Sequence, residues 1–266
     1  MMWREMKIYI FFLLYALVTM RAYTMESPHD KVLIHDLKTY LPQRLSLNNI
    51  SFKVQIPEIK KLLEENVYLG KVDNVYFEVF WFAPGKYVIN VRNIPKEFVD
   101  LKANLKTYVT EILAFVIPET MQSKLRSYKV ANINATTLVA MDETNAKFVN
   151  KIELDSSSEG LFDHYKIHSP GTTQEVFIEY KQKPWSQNKF VADKYTFQRE
   201  IANGLVTQEY RIEYQLTGGV AFPSFIEKIQ KIRIGKDTKE RVLKYKIYDY
   251  VMNDRANSGA LKEQQK

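Results

Sequence analysis

The one run of side chains here with the make-up of a metal or acid–base site is Asp163-His164-Tyr165-Lys166-Ile167-His168. Two imidazoles four positions apart meet on a single ion only in a helix; along a strand they stand about 13 Å apart. The Ser169-Pro170-Gly171 turn that follows, and the alternation of Tyr165 and Ile167 with polar neighbours, indicate a strand and hence no metal. Other chemistry is sparsely provided. There is no Gly-x-Ser-x-Gly elbow, and Ser156-Ser157-Ser158-Glu159-Gly160 reads as a flexible loop. Phosphate-cradling and dinucleotide motifs are missing, Gly218-Gly219 being a turn. The carboxylate pairs Glu64/Glu65 and Asp142/Glu143 fall in turns or helix ends, where solvated surface is the commoner explanation. With no cysteine in the chain, thiolate nucleophiles, zinc-thiolate sites and disulfides are excluded. The expectation is a binding protein without cofactor or metal, rather than an enzyme; a secreted hydrolase is the weakest alternative, since an acid pair of the glycosidase type needs no local motif.

The elements that would position a binding site start after residue 24. Arg4 and Lys7 precede an uncharged apolar run from Ile8 to Met20, the two parts of a secretory signal, too short to span a bilayer. Cleavage after Ala22 or Thr24 is expected, with Arg21 as the feature that would favour an uncleaved anchor. No cysteine follows to accept a lipid, so a periplasmic or secreted protein is expected. The absence of disulfides fits a bacterial envelope, and the sequons at Asn49 and Asn134 are triplets that arise often by chance. The net charge of +7 falls to +5 without residues 1–24, leaving 35 basic against 30 acidic residues. That excess is scattered, which disfavours nucleic acid and allows weak peripheral attraction to anionic headgroups.

A single unit is expected over residues 28–253, with a polar tail at 254–266. Val32, Leu33, Ile34, Leu37, Tyr40 and Leu41 form an apolar helical stripe that stops before Pro42. Ile50, Phe52, Val54 and Ile56 alternate as in a half-buried strand, and a short helix follows over 57–65. Val75–Phe82 and Lys86–Arg92 flank Ala83-Pro84-Gly85 as a hairpin. Between Pro95 and Pro118, Phe98, Leu101, Leu105, Tyr108, Val109, Ile112, Leu113 and Val116 recur at helical spacing, and the turn 114–117 should be deeply buried. Strands are then expected over 136–141, 148–154, 161–168, 175–181, 194–201, 205–216, 226–234 and 241–251, with Asn203-Gly204 the strongest hairpin signal. In 209–216 the residues Tyr210, Ile212, Tyr214 and Leu216 face one way and Glu209, Arg211, Glu213 and Gln215 the other, so one sheet face is wet. The fold class is α+β, a strongly curved antiparallel sheet, or incomplete β-barrel, with helices over its concave face.

The order of an N-terminal helix, the strand Ser51-Phe52-Lys53-Val54, the Phe80-Trp81-Phe82-Ala83-Pro84-Gly85-Lys86-Tyr87 hairpin and a closing Tyr245–Asn253 strand resembles the periplasmic lipoprotein-carrier family. The resemblance implies a half-barrel that holds lipid or lipoprotein acyl chains, acting as a carrier, with transient envelope-protein partners. An interaction or stress-sensing module of the same fold, carrying no ligand, is the alternative. The family's gating arginine has no match here, and the helical segment 95–126 is longer than in the simplest carriers.

The candidate ligand-facing side chains are Val75, Phe77, Val79, Trp81, Tyr87, Ile89, Leu105, Ile112, Tyr210, Ile212, Tyr214, Tyr245 and Ile247, with Lys86 or Arg92 available to a phosphate. The competing reading of the same apolar set is a dry core, the commoner fate of such stripes.

Overall fold

A computed structural model describes residues 26–64, 69 and 72–254; the expected signal at 1–24 and the tail beyond 254 lie outside them. Among the described residues no helix is long and apolar enough to cross a membrane.

The dominant element is a large unclosed antiparallel sheet, 12-stranded among the described residues, in the order β3-β2-β1-β12-β11-β10-β9-β8-β7-β6-β5-β4. Its strands are β1 (Asn49–Gln55), β2 (Tyr76–Phe82), β3 (Lys86–Arg92), β4 (Lys129–Asn132), β5 (Thr137–Met141), β6 (Lys151–Ser156), β7 (Phe162–Ser169), β8 (Thr172–Gln182), β9 (Phe190–Ile201), β10 (Gly204–Thr217), β11 (Val220–Ile234) and β12 (Asp237–Met252). From β4 to β12 it is a meander, as sequential turn signals dictate, and β1 then pairs with β12 to join the first hairpin to the rest. The β9–β10 turn has Asn203 in the left-handed region at φ 63°, and a side chain at Gly204 would collide with the Arg233 carbonyl, so glycine is required there.

Among the described residues four α-helices accompany the sheet: α1 (Pro28–Lys38), α2 (Pro57–Glu64), α3 (Val99–Val116) and α4 (Met121–Leu125). Ser27 caps α1 by accepting from the Asp30 N–H, with Pro28 in the first turn. Both α3 and α2 lie over β1–β3 and β10–β12, where Leu105, Val109, Ile112, Ile59 and Leu63 join Phe52, Phe77, Val79, Phe222 and Tyr245 in the main core. A smaller core beneath α1 and α4 gathers Val32, Met121, Leu125, Leu138, Ala140, Leu154 and Phe162. One sheet face connects the two. Leu138, Leu154, Tyr165, Val176 and Phe197 are successive cross-strand neighbours from β5 to β9, and Ile178, Tyr195, Tyr210, Lys228 and Leu243 continue from β8 to β12. The other face is wet, as expected from the Glu209–Gln215 alternation, and carries pairs such as Lys166–Glu175, Lys194–Glu179 and Arg211–Glu227.

Several local expectations are corrected. The first helix ends at Lys38, because the Tyr40 N–H donates to the Phe190 carbonyl at 2.8 Å and Thr39 bridges β9. Its buried residues are Lys31, Val32, His35 and Asp36, while Leu33 and Leu37 of the expected stripe are 39% and 49% exposed. Phe148 is exposed and outside any strand, since Asp142 accepts from the Thr144 and Lys147 N–H groups and holds a turn there. Leu216 is exposed at the end of β10, and Ala114 is exposed although Phe115, Val116 and Ile117 of the same turn are buried. Strand β4 was not anticipated.

Candidate functional site

Of the thirteen candidate ligand-facing residues, nine are fully packed members of the main core: Phe77, Val79, Ile89, Leu105, Ile112, Tyr210, Ile212, Tyr245 and Ile247. Val75 and Trp81 are half-buried and packed against that core, and Tyr87 is 47% exposed at the edge strand. Tyr214 is the one of the thirteen that borders the cavity under the end of α3. The rest meet one another because α3 brings a large side chain to each step of the sheet beneath it. Arg92 is engaged by Glu78, Nε to Oε2 at 2.6 Å.

Even the polar groups of this region serve packing. Lys228 is buried on the inner face of β11 and reaches Glu111 of α3 at 2.7 Å, and the Tyr245 hydroxyl donates to the other Glu111 oxygen at 3.2 Å. Burial, followed by the nearby Glu111 carboxylate, pushes the Tyr210 and Tyr245 hydroxyls far above the usual phenol range. The cluster fastens the middle of α3 to β10, β11 and β12.

The space lies farther along the same face, between the two cores. A cavity of about 260 Å³ is floored by β7–β9 through Tyr165, Ile167, Val176, Ile178, Tyr180, Tyr195 and Phe197. It is roofed by His35 and Tyr40, by the last turn of α3 with Phe115, by the α3–α4 connection with Glu119 and by Lys124 of α4. The gap exists because the roof places small or short groups here: Pro42, Ala114 and Pro118, with Ala192, Ala221 and Pro223 along the sheet. Ridges that interlock under the middle of α3 have no counterpart at its end.

Aromatic rings line this space in depth. Phe115 lies 4.8 Å from both Tyr195 and Tyr210, centroid to centroid, and Trp185 packs behind the wall against Tyr40 and Tyr214 at 5.3 and 5.4 Å. The Tyr214 hydroxyl donates to the Ala192 carbonyl at 2.8 Å, and the Tyr40 hydroxyl accepts from the Ala221 N–H at 2.7 Å. Tyr165, Tyr180, Tyr195 and Tyr214 are only half-buried by area, yet burial raises all four hydroxyls well above the ordinary value. The two facts agree if their accessible surface opens onto the cavity and not onto bulk water.

His35 and Asp36 hold the roof. His35 Nδ1 accepts the Phe162 N–H at 3.0 Å, which puts the ring proton on Nε2. Burial, then the Lys124 charge, pushes its pKa down to about 3, so it is neutral at pH 7. Asp36 accepts the Met121 and Gln122 N–H groups at 2.6 and 3.0 Å, capping α4 from a different helix. Glu119 and Lys124, both exposed, mark the mouth. Protein crowding on the cavity side depresses the Lys124 ammonium below the usual lysine range, chiefly through desolvation.

His164 and His168 lie on the wet face of β7, where His164 Nδ1 meets Asp155 at 2.9 Å and His168 Nε2 meets Glu153 at 3.3 Å. No group of three or more metal-ligating side chains is gathered among the described residues. The lining residues missed from sequence had a signal: Tyr165/Ile167 and Tyr195/Phe197 alternate with polar neighbours just as Tyr210/Ile212/Tyr214 do, whereas Phe177 between Val176 and Ile178 blurs the pattern in β8. Compared with protein-family models, with curated proteins and with solved structures, the chain gives no match.

Proposed function

We propose that this chain is an exported, non-catalytic lipid-binding protein that holds an apolar chain between the α1/α3/α4 roof and β7–β9. The observation that carries the reading is the aromatic cavity of about 260 Å³, with a polar mouth at Glu119 and Lys124. The Tyr214 hydroxyl is taken up by a backbone carbonyl, and the aromatic rings present apolar faces to the space. Each methylene moved from water into such a site gains about 0.8 kcal/mol, so ten contribute about 8 kcal/mol. That matches micromolar binding before ordering costs are subtracted.

The same arrangement supports a half-barrel of the lipoprotein-carrier kind, its unclosed sheet curving beneath helices that form a lid. In this reading α4 is the part able to move. It is five residues long and is anchored through Asp36 and a small core.

Native mass spectrometry of the protein purified from its own envelope, followed by organic extraction, tests the proposal. A stoichiometric bound mass that extracts as an acyl species is expected. A clean unliganded mass with no uptake of added lipid contradicts it and leaves a protein-docking module of the same fold.

A further inference from the structure

The size and polar rim of the cavity narrow the class of apolar ligand it can take. We infer that the site takes a single-chain anionic amphiphile, one acyl chain ending in a carboxylate or phosphate, with the Lys124 ammonium as the partner of its headgroup. This rests on the proposed lipid-binding role.

Size comes first. Sites for drug-sized ligands span roughly 300–1,000 Å³, and about 260 Å³ lies just below that range. That space suits one acyl chain better than the several chains of a lipoprotein or a diacyl lipid.

Charge comes second. The ionisable groups bordering the cavity, apart from tyrosines, are His35, Asp36, Glu119 and Lys124. Asp36 is buried and both its oxygens are occupied by α4 N–H groups. His35 is neutral and its Nδ1 is occupied by Phe162. Glu119 is exposed and acts on Lys124 only through space, with no ion pair within 4 Å between them. Lys124, which feels Glu119 and Asp36 only through space, is therefore an amino group at the mouth of an apolar cavity with no carboxylate among the described residues at ion-pair distance, and an anion seated there gains a charge-assisted hydrogen bond in partly desolvated surroundings. A fatty acid and a lysophospholipid share this chemistry.

The test measures binding of palmitate, lysophosphatidylglycerol, hexadecanol and diacyl phosphatidylglycerol to the wild type, Lys124→Met and Lys124→Arg. Palmitate or lysophosphatidylglycerol should bind at one per protein and about tenfold more tightly than hexadecanol. That preference should vanish in Lys124→Met and return in Lys124→Arg, with hexadecanol unchanged by either. Binding of palmitate alone would identify a free fatty acid as the natural class, and of the lysolipid alone a phosphate headgroup. Equal affinity for hexadecanol, or an unchanged preference in Lys124→Met, overturns the headgroup assignment while leaving the lipid cavity standing. Stoichiometric diacyl lipid that displaces palmitate overturns the single-chain assignment. No uptake of any probe overturns the lipid-binding reading itself.

Discussion

Beneath the middle of α3, Leu105, Val109 and Ile112 rest on sheet side chains that have almost no accessible surface, and even the Lys228 ammonium is matched to Glu111. The region is filled. At the end of the same helix, over β7–β9, Ala114, Pro118 and Pro42 face tyrosines across an open space. Both regions present the same apolar, aromatic sheet face, continued strand by strand, so the sheet alone does not decide where a ligand can go. The covering segment does: a long amphipathic helix fills its groove, whereas a proline-flanked connection and a five-residue helix leave one.

The contrast can be broken most forcefully from the filled side. Ile112→Ala opens a void where none exists and should cost about 2–5 kcal/mol, read as a lower denaturant midpoint, without creating a lipid site. Next comes the fastening of α3. Glu111→Gln leaves a buried ammonium without its counter-charge and should cost about 3 kcal/mol, whereas Lys228→Met removes the charge and should fall within about 1 kcal/mol of wild type. Equal losses in the two variants would show that the pair acts as ordinary packing.

On the open side the expected effects are smaller. His35 is neutral when folded, with its pKa held down at about 3, and the unfolded chain takes up that proton below about 6.5. Its contribution to stability is therefore complete above pH 6.5 and shrinks as the pH falls toward 3, by about 2 kcal/mol at pH 5. His35→Gln, which can still accept from Phe162, should lack this part of the pH dependence in parallel denaturation series at pH 7 and pH 5. The smallest change is Tyr214→Phe, which removes one hydroxyl bonded to the Ala192 carbonyl and should cost about 1 kcal/mol. A loss above about 3 kcal/mol would mean that the wall is as tightly packed as the main core.

Much of the filled side was legible in the sequence. The alternation of Ile50, Phe52 and Val54, the hairpin around Pro84-Gly85 and the helical period of 95–118 each specify one element and its buried face. The open side was less so. Asp163 and Asp193 are extra residues in β7 and β9, skipped in the pairing with β6 and β8. At Asp193 the inward set changes from Tyr195 and Phe197 to Ala192 and Phe190, so a strict period of two cannot phase the strand. The early end of α1 depends on Phe190, more than a hundred residues away, and the α4 cap depends on Asp36, which reads locally as an ordinary polar residue inside a helix. A cavity, finally, is a mismatch between two surfaces, and no single stretch of sequence records it.

That mismatch is the central claim, and the tryptophans allow it to be located. Trp185 touches two residues of the cavity wall, Tyr40 and Tyr214, while Trp81 packs against the filled core. The deciding measurement is fluorescence quenching by a brominated fatty acid in Trp81→Phe and Trp185→Phe proteins, each also carrying Trp3→Phe. Saturable quenching of Trp185 with Trp81 unaffected is the expected result. Quenching of Trp81 with Trp185 unaffected would place the ligand in the region described here as filled and contradict the account.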